Sequence, residues 1–211
     1  NARGASGFED ETVQAAAKHI GEGYTTEEDC LRNFYMYRTA NSGNKPVFML
    51  DAHSDEVGFM VHSIRPNGTL RFVALGGWNV GSLASSKVLV RNSEGKYLPG
   101  VIAAKPVHFM SASEKASAGA ADISSLSIDI GAVSAKDAAE NFKIRIGEPG
   151  VPDVTLEYDE EHDLMFGKAF DCRIGCAALI ETLRRLRDEK LDVDVVGVLS
   201  SQEEVGERGM K

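Results

Sequence analysis

Residues 51–59 read Asp51-Ala52-His53-Ser54-Asp55-Glu56-Val57-Gly58-Phe59, and residues 200–204 read Ser200-Ser201-Gln202-Glu203-Glu204. Each follows a short apolar run, Val47 to Leu50 and Val193 to Leu199, with the composition of a buried strand. Ahead of the second run, Ile174 to Arg187 sets Cys176, Leu179, Ile180, Leu183 and Leu186 on one stripe, with Arg184, Arg185 and Arg187 toward its C-terminal end. That pattern predicts a helix, and helix followed by strand is an α/β unit. The expected fold class is therefore α/β, a mainly parallel sheet sandwiched by helices. In such folds ligands collect at the C-terminal ends of the strands, where both quoted segments fall.

Working outward, Asp10 to Ile20 carries Val13, Ala16, Ala17 and Ile20 at the spacing of one helical face. Phe34 to Tyr37 reads as a strand. Val47 to Leu50 is apolar at every position, which predicts a central strand, and Val57 to Ile64 predicts another. From about Arg65 to His162 the character changes to short β-rich segments separated by turn residues such as Pro66-Asn67-Gly68 and Ser93-Glu94-Gly95. Its expected strands are Leu70–Leu75, Lys87–Arg91, Tyr97–Ile102 and Leu126–Ile130, with one short helix that Ser134 caps. Residues 65–162 thus form an inserted small β-barrel-like domain, leaving 1–64 and 163–211 as the α/β domain.

With 211 residues, 43% of them hydrophobic, the chain can bury a sizeable core. A formal charge of −9 argues against a phosphate-backbone partner, so nucleic acid is excluded. No run approaches the roughly 20 apolar residues that span a bilayer, and Asn1-Ala2-Arg3-Gly4 lacks a signal pattern, so no membrane partner and a cytoplasmic address are expected. Cys30, Cys172 and Cys176 are an odd number without Cys-x-x-Cys spacing, which predicts reduced thiols.

A His at a strand end with an Asp two residues on can bind metal through imidazole while the Asp orients it from behind. Adjacent glutamates leaving a strand end point differently, so one can ligate metal while the other takes a proton from an attacking water. Asp171, in Gly167-Lys168-Ala169-Phe170-Asp171 ahead of a helix, reads equally as an N-terminal cap or a ligand. His19, His62, His108 and His162 carry no assigned chemistry, and Trp78 reads as packing of the inserted domain.

His53-Ser54-Asp55-Glu56-Val57-Gly58-Phe59, Gly167 through Cys176, and Gln202-Glu203-Glu204-Val205-Gly206 together resemble the tetrahedral, self-compartmentalising metallo-aminopeptidases of the glutamyl and deblocking type, some members of which carry cellulase labels. The resemblance extends through Gly76-Gly77-Trp78 and Gly100-Val101-Ile102 and covers nearly the whole chain. It implies an exopeptidase with two divalent cations, zinc or cobalt or manganese, acting on peptide substrates and self-associating into an oligomer such as a dodecamer. It implies His53 on one metal, Asp171 bridging both, Glu204 on the other, Asp55 behind His53, and Glu203 as general base. It also implies a second Asp after the bridging one, often across a cis bond, where this chain has Cys172, and two further ligands, an Asp and a His, beyond Lys211. On that ground the chain is expected to be a portion of a longer enzyme.

Two other readings compete. A glycoside hydrolase also needs two carboxylates, but neighbouring glutamates do not readily flank opposite faces of a sugar, and His53 would have no purpose. A non-catalytic scaffold that has lost its site accounts for Cys172 but not for the five intact residues.

Overall fold

The computed structural model describes residues 1–112 and 122–211. In chain order its strands are β1 (Tyr24–Glu28), β2 (Phe34–Arg38), β3 (Val47–His53), β4 (Gly58–Ile64), β5 (Leu70–Leu75), β6 (Lys87–Arg91), β7 (Tyr97–Ala103), β8 (Ser127–Asp129), β9 (Pro149–Pro152), β10 (Glu157–Asp159), β11 (Leu164–Phe166) and β12 (Asp194–Ser200). The helices are α1 (Asp10–Ile20), α2 (Ala135–Glu140) and α3 (Phe170–Leu186). Two units result, Asn1–Glu56 with Gly167–Lys211, and Val57–Phe166.

The first unit holds a four-stranded sheet in the order β1-β2-β12-β3. Only β12 and β3 run parallel; β1 with β2 and β12 with β2 are antiparallel, which corrects the expectation of a mainly parallel sheet. For β1 and β2 the cause is the tight return between them. There the Asp29 carboxylate accepts hydrogen bonds from the Leu31 and Asn33 amides at 2.9 and 3.0 Å and so reverses the chain. The central strand is β12, all seven of whose residues are buried. β3, expected in the centre, lies at the edge of the sheet that the described residues form, with Val47, Phe48 and Met49 exposed. An apolar run shows that both faces are apolar; it does not show that both edges are paired.

Val13, Ala16 and Ile20 of α1 and Cys176, Leu179 and Leu183 of α3 share one core cluster with Phe34, Met36, Ala52, Val195 and Leu199. These strand residues alternate onto a single face, so both helices cover that face. The opposite face, bearing Tyr35, Tyr37 and Met49, holds none of the described helices, and the expected sandwich is not seen among the described residues. α3 approaches closely because Gly197 leaves room: a Cβ there would lie 2.5 Å from Leu183 Cδ1 and 2.9 Å from Leu179 Cδ2.

In the second unit six strands close into an antiparallel barrel in the order β4-β5-β8-β7-β6-β9. Phe59, Val61, Leu70, Phe72, Val88, Val90, Ile102 and Ile128 fill its interior from alternating positions. Trp78 stacks on Phe59 at 4.7 Å between ring centroids and donates from Nε1 to the Gly58 carbonyl. β4 is a barrel strand rather than part of the α/β sheet as the sequence suggested, because Phe59 and Val61 point into this core and pair with β5 and β9. Ser134 caps α2, accepting from the Asp137 amide at 3.1 Å.

Candidate metal centre

β3 ends at His53, and beyond it the Ser54 amide donates to the Ser200 carbonyl at 2.8 Å, tying the two strand ends together. The next residues run beside the N-terminal segment, with an Ala5–Glu56 bridge and the Glu56 amide on the Gly4 carbonyl. Asp55 is thereby fully buried beneath His53. Its Oδ2 accepts from Ser6 Oγ at 2.6 Å and from the Glu204 amide at 3.2 Å, and its Oδ1 accepts from the Glu203 amide at 3.0 Å. The same Oδ1 lies 3.4 Å from His53 Nδ1. Burial alone would raise this carboxyl, but the neighbouring His53 imidazole and the hydrogen bonds from Ser6 and the two amides hold it below its ordinary value.

Asp171 reaches the site from the other direction, and its side chain is 89% exposed. Its place is set by its flanks. Lys168 Nζ contacts Glu56 Oε1 at 3.0 Å, while Arg173 donates from Nε to the Ser54 carbonyl and from Nη1 to the Ala2 carbonyl. Asp171 and Cys172 are non-helical at the start of α3 and are joined by a cis peptide bond. His53 Nε2 and Asp171 Oδ1 come within 2.9 Å, and Glu203 Oε2 lies 3.9 Å from the same nitrogen. Glu204 joins through its backbone and its field: burial, then the charge of Asp55, raises its carboxyl.

His53 is therefore ringed by carboxylates, and its pKa is raised to about 9, first by Asp55 against the opposing effect of burial, then by Asp171 and Glu203. A pocket that favours a proton this strongly is one in which negative potential converges on an imidazole nitrogen, and a divalent cation satisfies the same potential. Imidazole and carboxylate donors suit zinc, cobalt and manganese. The tightest donor set among the described residues is His53, Asp171 and Cys172, whose ligand atoms lie within 4.8 Å of one another. Cys172 Sγ also covers Gly175, where an added Cβ would lie 2.5 Å from it. Cys176 is buried, donates to the His53 carbonyl at 3.0 Å, and has its thiol pushed up to about 12 by burial.

The sequence model of the M42 glutamyl aminopeptidase family matches residues 33–211. The chain belongs to this family. A glutamyl aminopeptidase of Lactococcus lactis subsp. cremoris is 34% identical over 195 residues, covering 92% of this chain and 54% of that protein. The TET aminopeptidase of the marine sediment archaeon Thaumarchaeota archaeon SCGC AB-539-E09 superposes with a TM-score of 0.91 at 34% identity, over 99% of this chain and 58% of that one. The Pyrococcus horikoshii TET1 peptidase, described as assembling into a tetrahedron or a large octahedral shell, superposes with a TM-score of 0.85 at 29% identity, over 98% of this chain and 59% of that one. The chain thus spans little more than half the length of these M42 relatives.

Two buried groups of the site escaped the sequence reading, Ser6 and Glu9. The available signal was a Glu at the residue before α1, where a short capping side chain is preferred. Glu9 makes no cap bond; its Oε1 accepts from the Gly7 and Gln202 amides, and burial pushes its carboxyl up to about 7. Between the ordinary value of 4.5 and about 7 the folded chain keeps a proton here that the unfolded chain has lost, so this group's contribution to stability falls as pH rises through that window. We expect the stability of Glu9→Gln relative to the parent to rise by about 2–3 kcal/mol from pH 5 to pH 8. Chemical denaturation at the two pH values measures it, and a pH-independent difference contradicts the assigned protonation.

Proposed function

We propose that this chain carries much of the active site of a metal-dependent aminopeptidase, one that removes N-terminal residues from peptides. In this reading His53, Asp171 and Glu204 hold two divalent cations, with zinc, cobalt or manganese as candidates. Cations there would polarise the scissile carbonyl, lower the pKa of the attacking water and attract the substrate's free amine. Glu203 takes the proton from that water and returns it to the leaving amine. Asp55 fixes the His53 ring from below and holds both glutamate amides, so one buried carboxylate sets the position of base and ligands together. That shared anchor is the observation on which the reading mainly rests. Family membership supports peptidase chemistry, and the assembly described for the Pyrococcus horikoshii peptidase supports a homo-oligomer. The three free cysteines suit a cytoplasmic address.

The test is metal content by mass spectrometry on the full-length protein, with hydrolysis of aminoacyl nitroanilides before and after EDTA. About two ions per chain are expected, with activity lost by at least about a hundredfold on chelation and restored by adding zinc, cobalt or manganese. Activity that survives chelation points to a different catalyst, such as a two-carboxylate glycosidase. Absence of bound metal and of activity points to the non-catalytic scaffold.

A further inference from the structure

Beyond β12 the chain passes through Ser201 and Gln202 before presenting Glu203 and Glu204, and four successive amides are each held by a side chain. Ser201 N donates to Asn33 Oδ1 at 2.9 Å, Gln202 N to Glu9 Oε1 at 3.2 Å, Glu203 N to Asp55 Oδ1 at 3.0 Å and Glu204 N to Asp55 Oδ2 at 3.2 Å. Gln202 has φ +54°, a left-handed conformation that a residue with a Cβ keeps only where its surroundings determine it. This reversal sets the directions in which the next two side chains leave the strand. Asp55 and Asn33 hold its neighbours; the amide of the reversed residue itself is held by Glu9.

Helix stability does not account for Glu9. It stands at the N-cap of α1 without capping it, and its carboxyl turns away from the helix to the Gly7 and Gln202 amides. Its side chain is fully buried, and Oε2 has no hydrogen-bond partner. A buried polar atom without a partner costs about 1–3 kcal/mol, which a Ser or Asp capping the helix would avoid.

We propose that Glu9 is a positioning residue for the acidic pair: by accepting from the Gln202 amide it holds the left-handed turn that aims the Glu203 carboxylate. This rests on the reading of Glu203 as general base. Glu9 lies 193 positions from Gln202 in sequence, so the N-terminal segment completes the far side of the site.

The full-length protein tests it, through Glu9→Ala, Glu9→Gln and Glu203→Gln, each followed by kcat, KM, metal content and Tm on an aminoacyl nitroanilide. Glu9→Ala is expected to lower kcat by about thirtyfold to a hundredfold, with KM within about threefold of the parent and metal content unchanged, because small misplacements of a reacting group cost this much. Glu9→Gln keeps an acceptor oxygen and should recover at least about tenfold of that loss. A Glu9→Ala protein with lowered Tm but parental kcat overturns the proposal by reducing Glu9 to a packing role. A Glu9→Gln protein as slow as Glu9→Ala also overturns it, since charge rather than the accepted bond would then matter. If Glu9→Ala does not fold, Glu9→Asp takes its place: a tenfold or greater loss of kcat at constant KM supports the proposal, and parental kcat overturns it. An active Glu203→Gln removes the general-base reading and this inference with it, whereas an inactive Glu203→Gln beside a fully active Glu9→Ala removes this inference alone.

Discussion

Replacing Glu203 by Gln is expected to lower kcat by about a hundredfold to ten-thousandfold, the usual contribution of a positioned general base, with Tm and metal content unchanged. The reason lies in how the residue is fixed. Its amide is anchored on Asp55 Oδ1, its carboxylate is partly exposed, and Oε2 stands 3.9 Å from His53 Nε2. Folding therefore does not depend on the carboxylate, and Gln preserves shape and backbone while removing the proton acceptor. Steady-state kinetics on aminoacyl nitroanilides, with mass spectrometric metal analysis of the same preparation, measure both halves of the expectation. Parental kcat in the variant would falsify the assignment of Glu203 as base.

Asp55→Ala is expected to be the most destabilising single substitution in the site. The carboxylate is completely buried and accepts from Ser6 Oγ and from the Glu203 and Glu204 amides while facing His53 Nδ1. Removing it strands three donors and the imidazole in a buried space, at a cost of about 3–5 kcal/mol. For a chain of this size that corresponds to a fall in Tm of roughly 6–20 °C. The sign with pH follows from the lowered carboxyl: its stabilisation is present above the ordinary value of 3.8 and is lost as pH falls through the folded-state value. Calorimetry at neutral pH should thus show the full deficit, and the gap to the parent should narrow only in strong acid. A Tm within about 2 °C of the parent at neutral pH contradicts the anchoring role.

Much of the fold was legible where burial imposes a period. In α1 the stripe of Val13, Ala16 and Ile20 is buried as its spacing requires, although Ala17 is exposed; Ser134 caps α2; and the Val-rich run preceding Ser200 is the buried β12. β1 went unread because Tyr24–Glu28 is an outer strand with little burial and hence no alternation to detect. β9 went unread because Pro149-Gly150-Val151-Pro152 has the composition of a turn, and only closure of the barrel makes it a strand. The edge position of β3 could not be read from its own residues, since pairing is decided by strands elsewhere in the chain.

The candidate site divides in the same way. His53, Asp55, Glu203 and Glu204 drew attention through their placement at strand ends, and Asp171 was ambiguous until the resemblance gave it a role. Ser6 and Glu9 were missed because their importance resides in contacts 49 and 193 positions away, and no local pattern encodes such partners.

The parallel pairing of β3 with β12 also bears on the order of events on the ribosome. The Ser54 amide and the Ser200 carbonyl it bonds are 146 positions apart, with the whole closed barrel encoded between them. At about 5–20 residues per second, β3 waits roughly 7–30 s for its partner. During that interval the barrel has every strand it needs, while the edge of β3 that β12 will pair stands open, an edge of the kind that recruits other chains. His53 and Glu203 cannot meet until translation has passed Glu203, so the pairing of β3 and the approach of these two side chains wait on the same segment.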